Sequence, residues 1–199
     1  MPLSSLNELF LHELKELYDA EHQLVEALPR MVKAASQPEL RTALDKHLAE
    51  TRKQVARLRE VFTECGEDPE RGECDGLRAV IEEGERFVDE ADESPVRDAA
   101  LISGARRVEH YEMARYDSLI IWAQAAGFSS AQRLLEQTLE EERAADEKLS
   151  DIAESGFHAG AGALEEEEDT GNTTRTGSRS PTAVRARTGA PARSRRAKK

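Results

Sequence analysis

Apolar residues recur at every third or fourth position through four long stretches of the chain, and acidic side chains interrupt each stripe near its midpoint. The first stripe, Leu6, Leu9, Phe10, Leu14, Leu17, Leu24 and Leu28, predicts a helix opened by Ser5, with Glu8 completing a capping-box pattern. Pro29 is expected to kink that helix near its end. Ser36-Gln37-Pro38-Glu39 reads as a second capping box, and Leu40, Leu44, His47, Thr51, Leu58 and Val61 carry the second helix to a stop at Gly66. Ser94-Pro95 starts a third, running through Ile102, Ala105, Glu109, Glu112, Tyr116 and Ile120 to Gly127. Ser129 or Ser130 caps a fourth, with Leu135, Thr138, Glu142, Ala145, Leu149 and Ile152 on one face. Residues 66–95 form a long connection with a short helix from about Gly76 to Ala91, long enough for a crossover between the two hairpins. After about Gly156 the periodicity fails. The pattern thus predicts an all-α protein, a four-helix bundle over residues 1–155 and a disordered, acidic-then-basic tail over residues 156–199.

Composition changes this picture in three places. Charged residues make up 34% of the 199, and no apolar run approaches the ~18 residues of a membrane span. The first residues also lack the basic start and unbroken apolar stretch of a secretory signal, so a cytoplasmic location is expected. Charge is segregated: nine of the 28 Arg and Lys lie in residues 171–199, which carry no acid, leaving 19 basic against 40 acidic groups before them, a net −21. Cys65 and Cys74 stand nine positions apart in the polar connection, without zinc or redox spacing, and read as unpaired thiols of a reducing compartment.

The acids carry the chemistry. At ~1.5 Å per residue the helices span roughly 35–45 Å, which brings Glu21, Glu50 with His47, Glu109 with Glu112, and Glu142 with Asp146 to one level. A buried carboxylate without compensation is expensive. Four helices making that choice together point to a shared cation pair, and carboxylates with imidazole suit iron or manganese. His47 reads equally as a ligand or as a core histidine bonded to a carboxylate. Glu112 and Asp146 read as bridging or outer groups, Tyr18 and Tyr116 as aromatic packing residues with a place near the site as the alternative, and His12, His22 and His110 as surface residues off the stripe.

The segments YDAEHQLVEALPRM, HLAETRKQ, EHYEMARYDSLI and LEQTLEEERAADEKL resemble the YciE/YciF family of ferritin-like, stress-associated proteins over roughly residues 3–153. The resemblance implies a ferritin-like four-helix bundle, a homodimer, and a dinuclear iron or manganese centre. The chain departs from the Glu-x-x-His pattern common among ferritin-like proteins. Its second helix reads His47-x-x-Glu50, and Ala145 stands where a histidine would follow Glu142. With one nitrogen ligand missing, a tightly held ferroxidase centre is not expected.

Two functions follow. One is a metal-binding stress protein that oxidises Fe(II) or consumes peroxide. The other is a non-catalytic helical dimer acting as a scaffold or interaction protein. The tail residues Arg175, Arg179, Arg185, Arg187, Arg193, Arg195, Arg196, Lys198 and Lys199 suit sequence-independent DNA contact or a solubilising role. Without interleaved aromatic residues they do not predict base stacking.

Overall fold

A computed structural model describes residues 3–91 and 95–169, with side chains as far as residue 156. The chain forms five helices: α1 Leu6–Ala34, α2 Pro38–Glu64, α3 Asp75–Glu90, α4 Pro95–Ala126 and α5 Ser129–Asp169. Among the described residues there is no strand. The bundle is one compact unit, Met1–Gly162; of the other, Ala163–Lys199, only helical backbone to Asp169 is described. Helix α5 therefore continues past the 155–156 boundary read from the sequence, and the basic residues of the tail lie outside the described residues.

Local signals set most helix ends. Ser5 accepts the Glu8 N–H at 3.2 Å, and the Glu8 carboxylate reaches back to Ser4, one residue earlier than in a capping box. Pro29 lies inside α1, which continues to Ala34. Gly66 and Gly127 sit at φ +76° and +82°, where a Cβ would be strained. Each closes its helix with the same bond pair, Glu67 N–H to Phe62 O with Gly66 N–H to Thr63 O, and Phe128 N–H to Ala123 O with Gly127 N–H to Gln124 O.

The start of α2 departs from the expected capping box. Gln37 is the N-cap and makes no side-chain cap bond. Asp98 of α4 instead takes the N–H groups of Ser36 at 2.7 Å and Gln37 at 3.0 Å, together with the Ser36 hydroxyl. The cap is supplied across the bundle by a fully buried carboxylate.

That bond also fixes the topology. It brings the start of α4 beside the start of α2, so the two helices run the same way. Phe10 packs on Phe128 with centroids 5.8 Å apart, placing the start of α1 by the α4–α5 turn. Residues 65–94 must then climb the length of α2, which is 27 residues or roughly 40 Å. The connection is held against α1: Gly72 N–H donates to Lys15 O, and Asp19 receives Arg71 and the Cys74 N–H. One long crossover in a four-helix bundle is the ferritin-like connectivity.

Apolar layers fill both ends of the bundle. Phe10, Leu14, Val61, Phe62, Leu119 and Leu135 pack one end, and Leu28, Leu40, Leu44, Leu101 and Ile152 the other. Leu6, expected on the apolar stripe of α1, is instead 44% exposed in the first turn of the helix. Polar residues occupy the middle.

Candidate metal centre

Four helices contribute to that middle layer. Glu21 comes from α1, His47, Thr51 and Gln54 from α2, Glu109, Glu112 and Tyr116 from α4, and Glu142 from α5, all buried. Ligand atoms of His47, Glu109, Glu112 and Glu142 all lie within 4.8 Å of one another. Two trans ligands on a first-row cation, each at roughly 2.0–2.2 Å, stand ~4.4 Å apart. Four donors this close could be drawn inward onto one ion.

Hydrogen bonding within the layer is incomplete. Tyr116 donates its hydroxyl to Glu21 Oε1, and Gln54 donates to Glu142 Oε1. Glu21 Oε2, Glu109 Oε2, both oxygens of Glu112, and Glu142 Oε2 are buried without a hydrogen-bond partner. His47 Nε2 lies 3.2 Å from Glu109 Oε1, yet is not aligned for a hydrogen bond. Orphaned acceptors at this density are rare in folded proteins, because each costs about 1–3 kcal/mol. The donor set, carboxylate oxygen with one imidazole nitrogen, is one that a hard or borderline divalent cation accepts.

Electrostatics give the same result. Burial, and then the charge of Glu142, push Glu21 and Glu109 well above the usual carboxylate range. Glu112 is pushed the same way by burial and by Glu21 and Glu142. Tyr116 is raised by burial and by the neighbouring Glu21. These acids cannot all ionise together without positive charge among them.

Of the residues expected at the centre, Glu21, His47, Glu109, Glu112 and Glu142 share the layer, Glu21 standing beside the four-residue group rather than within it. Glu50 and Asp146 are not brought into it. Thr51 takes the inward position of α2 and bonds the His47 carbonyl at 2.9 Å, which leaves Glu50 on the flank, 2.9 Å from Lys46. Asp146 turns toward α4, where Arg106 holds it at 2.7 Å and His110 stands 3.4 Å away. The Arg106 hydrogen bond keeps its carboxyl below the usual range. Two further polar partners stand in the layer. Tyr116 bonds Glu21 instead of merely packing. Gln54, seven positions after His47, was readable from its place on the same helical face.

Cys65 and Cys74 are free; Cys74 is buried, with its sulfur 3.3 Å from the Tyr111 hydroxyl. No helix among the described residues is long and apolar enough to cross a membrane.

Comparison with known proteins agrees with this architecture. The sequence matches the family described as "Domain of unknown function (DUF892)" over residues 5–162. Protein YciF of Escherichia coli is 39% identical over 154 residues, covering 77% of this chain and 93% of YciF. The crystal structure of the E. coli stress protein YciF superposes with a TM-score of 0.76 at 37% identity, over 78% of this chain and 99% of that one. YcfI of Rhodopseudomonas palustris gives 0.72 at 40% identity, over 74% and 94%. A protein of Xanthomonas campestris at 20% identity shares the fold, with a TM-score of 0.61 over 82% and 99%. The resemblance read from four helical segments extends across the bundle, and the chain belongs to the DUF892 family as a ferritin-like relative of YciF.

Proposed function

We propose that this chain is a stress-associated protein that holds a dinuclear iron or manganese centre in the bundle core and oxidises Fe(II) or consumes peroxide. The observation that carries the reading is the set of buried carboxylate oxygens without hydrogen-bond partners, on Glu21, Glu109, Glu112 and Glu142, around a His47 nitrogen that makes no hydrogen bond. Four ionised carboxylates balance two divalent cations. His47, Glu109, Glu112 and Glu142 would hold one ion, with Glu21 beside Glu112 and Glu142 serving the other. Such a pair, when bound, supplies one-electron steps toward oxygen or peroxide.

The chain's own residues prepare the site. Tyr116 fixes one oxygen of Glu21 and Gln54 fixes one of Glu142, leaving the second oxygen of each without a hydrogen bond and open to a ligand. Protons held on Glu21, Glu109 and Glu112 leave as cations enter, so binding releases acid. A single imidazole among carboxylates gives a hard, loosely selective site, which suits manganese as well as iron. A reducing cytoplasm accords with the two free thiols.

Elemental analysis of protein grown with iron and manganese, beside Glu112→Ala/Glu142→Ala, tests the reading. About two ions per chain, lost in the double variant while the helical signal persists, is the expected result. Protein that stays metal-free and refuses Fe(II) and Mn(II) without oxygen would sink it, leaving the non-catalytic scaffold. Homodimerisation and DNA contact through the basic tail are separate proposals. Sedimentation equilibrium should give twice the chain mass, and deleting residues 171–199 should abolish DNA retention at low salt.

A further inference from the structure

Between α2 and α5 the bundle is bridged at two levels. On one side of the acids Arg57 reaches Thr138 at 2.6 Å and Glu141 at 2.8 and 2.9 Å. On the other, toward the start of α2, Lys148 reaches Glu39 at 2.5 Å. Between those bridges Ala43, Ala144 and Ala145 leave a cleft of about 40 Å³, edged by Lys46 and Lys148, each engaged by a carboxylate. One water needs ~10–15 Å³ of such space, so the cleft admits a small ion with little of its hydration.

The cleft has a built inner wall. His47 and Glu109 line it with side chains 8% and 1% exposed, and His47 Nε2 and Glu109 Oε2 lack hydrogen-bond partners. Glu50 stands at the lip, 23% exposed and paired with Lys46. The α4–α5 side is different. There Arg106 is bonded to Asp146 with His110 beside it, and the pocket that Arg106 and His110 line reaches none of the layer's residues.

We propose that the α2–α5 cleft is the route by which a divalent cation reaches the core, with Glu50 taking the ion from solvent and passing it to His47 and Glu109. The inference rests on the metal-centre reading above. Lys46 holds the Glu50 carboxylate until an ion displaces its ammonium. Ala145, at the position where a second histidine would follow Glu142, keeps the passage open. Glu50 thus acts in transit, as a positioning carboxylate on the flank of α2, and is not part of the resident ligand set.

Loading kinetics separate the route from the site. Metal-stripped full-length protein is mixed with Co(II) under nitrogen, its visible absorption is followed, and final metal content is measured by elemental analysis. Glu50→Gln should slow loading by about tenfold with unchanged final stoichiometry. Ala145→Leu should slow it at least as much, and Lys46→Ala should speed it. Wild-type rates in both Glu50→Gln and Ala145→Leu, with full loading, would overturn the route while leaving the metal centre intact. Reduced final stoichiometry in Glu50→Gln would make Glu50 a resident ligand and overturn it equally. A wild-type protein that binds no Co(II) would remove the metal centre itself. Should Ala145→Leu fail to fold, as judged by circular dichroism, Glu50→Gln and Lys46→Ala decide the matter.

Discussion

Asp98 and Glu112 are both buried carboxylates on α4, and they are treated in opposite ways. Asp98 arrives with its partners: two backbone N–H groups and a hydroxyl at the start of α2. Asp19, against the crossover, is similar, bonded by Gln23, Arg71 and the Cys74 N–H. Glu112 has no hydrogen-bond partner on either oxygen, and the charges nearest it in the layer are those of Glu21, Glu142 and Glu109. A carboxylate that serves the fold is satisfied by the fold. One left bare in the layer has both oxygens open to a partner that the fold does not supply.

The contrast can be broken first at its structural pole. Asp98→Ala strips three hydrogen bonds and leaves two N–H groups at the start of α2 without an acceptor, so urea unfolding should register a loss of about 3 kcal/mol or more. A loss within error would mean that this carboxylate, too, is idle.

Dependence on pH sharpens the contrast, because the two kinds of acid have opposite signs. Burial raises Glu21, Glu109 and Glu112 above the 4.5 of a free glutamate, so the folded metal-free protein retains protons that the unfolded chain releases. Their contribution is complete below pH 4.5 and is lost as pH rises through the folded values, at up to ~1.4 kcal/mol per pH unit for each carboxyl. Asp19 runs the other way. Burial pushes it up, but the Cys74 N–H, Gln23 and Arg71 outweigh that and hold it below 3.8. Its contribution is present above pH 3.8 and lost as pH falls through the folded value. Urea midpoints measured in chelator should therefore fall as pH rises above 4.5, and saturating Mn(II) should flatten that fall. A metal-free profile already flat would refute the assignment.

Smaller in effect, Glu112→Leu should raise the stability of metal-free protein by about 1 kcal/mol, since it removes an unsatisfied buried group. The same variant should forfeit the ~2.7 kcal/mol that metal at a hundred times its dissociation constant gives the wild type. Smallest of all, Lys148→Ala removes an exposed pair with Glu39 and should leave the urea midpoint unmoved.

Much of this was legible in the sequence, for physical reasons. Gly66 and Gly127 mark helix ends because a left-handed backbone position selects glycine locally. The helix expected from about Gly76 to Ala91 spans Asp75–Glu90, since its apolar period is its own. What could not be read depended on distant partners. Asp98 caps a helix 61 positions away, and no local pattern announces that bond. Helical periodicity placed acids at one level but did not resolve a flank from an interior. Thr51 excludes Glu50 from the layer by a single position, and Arg106, one turn of α4 away from His110, draws Asp146 aside.

The crossover divides the acidic layer between two hairpins: Glu21 and His47 in the first, Glu109, Glu112 and Glu142 in the second. Neither hairpin assembles the site alone, and the charge of each opposes their approach. Docking is therefore the folding step that these carboxylates retard, and protons the agents that relieve it. A cation that recognises only the docked pair adds its energy after the barrier to folding has been crossed. Its mark should fall on the unfolding limb of the chevron, lengthening the life of the folded bundle while leaving its rate of formation unchanged.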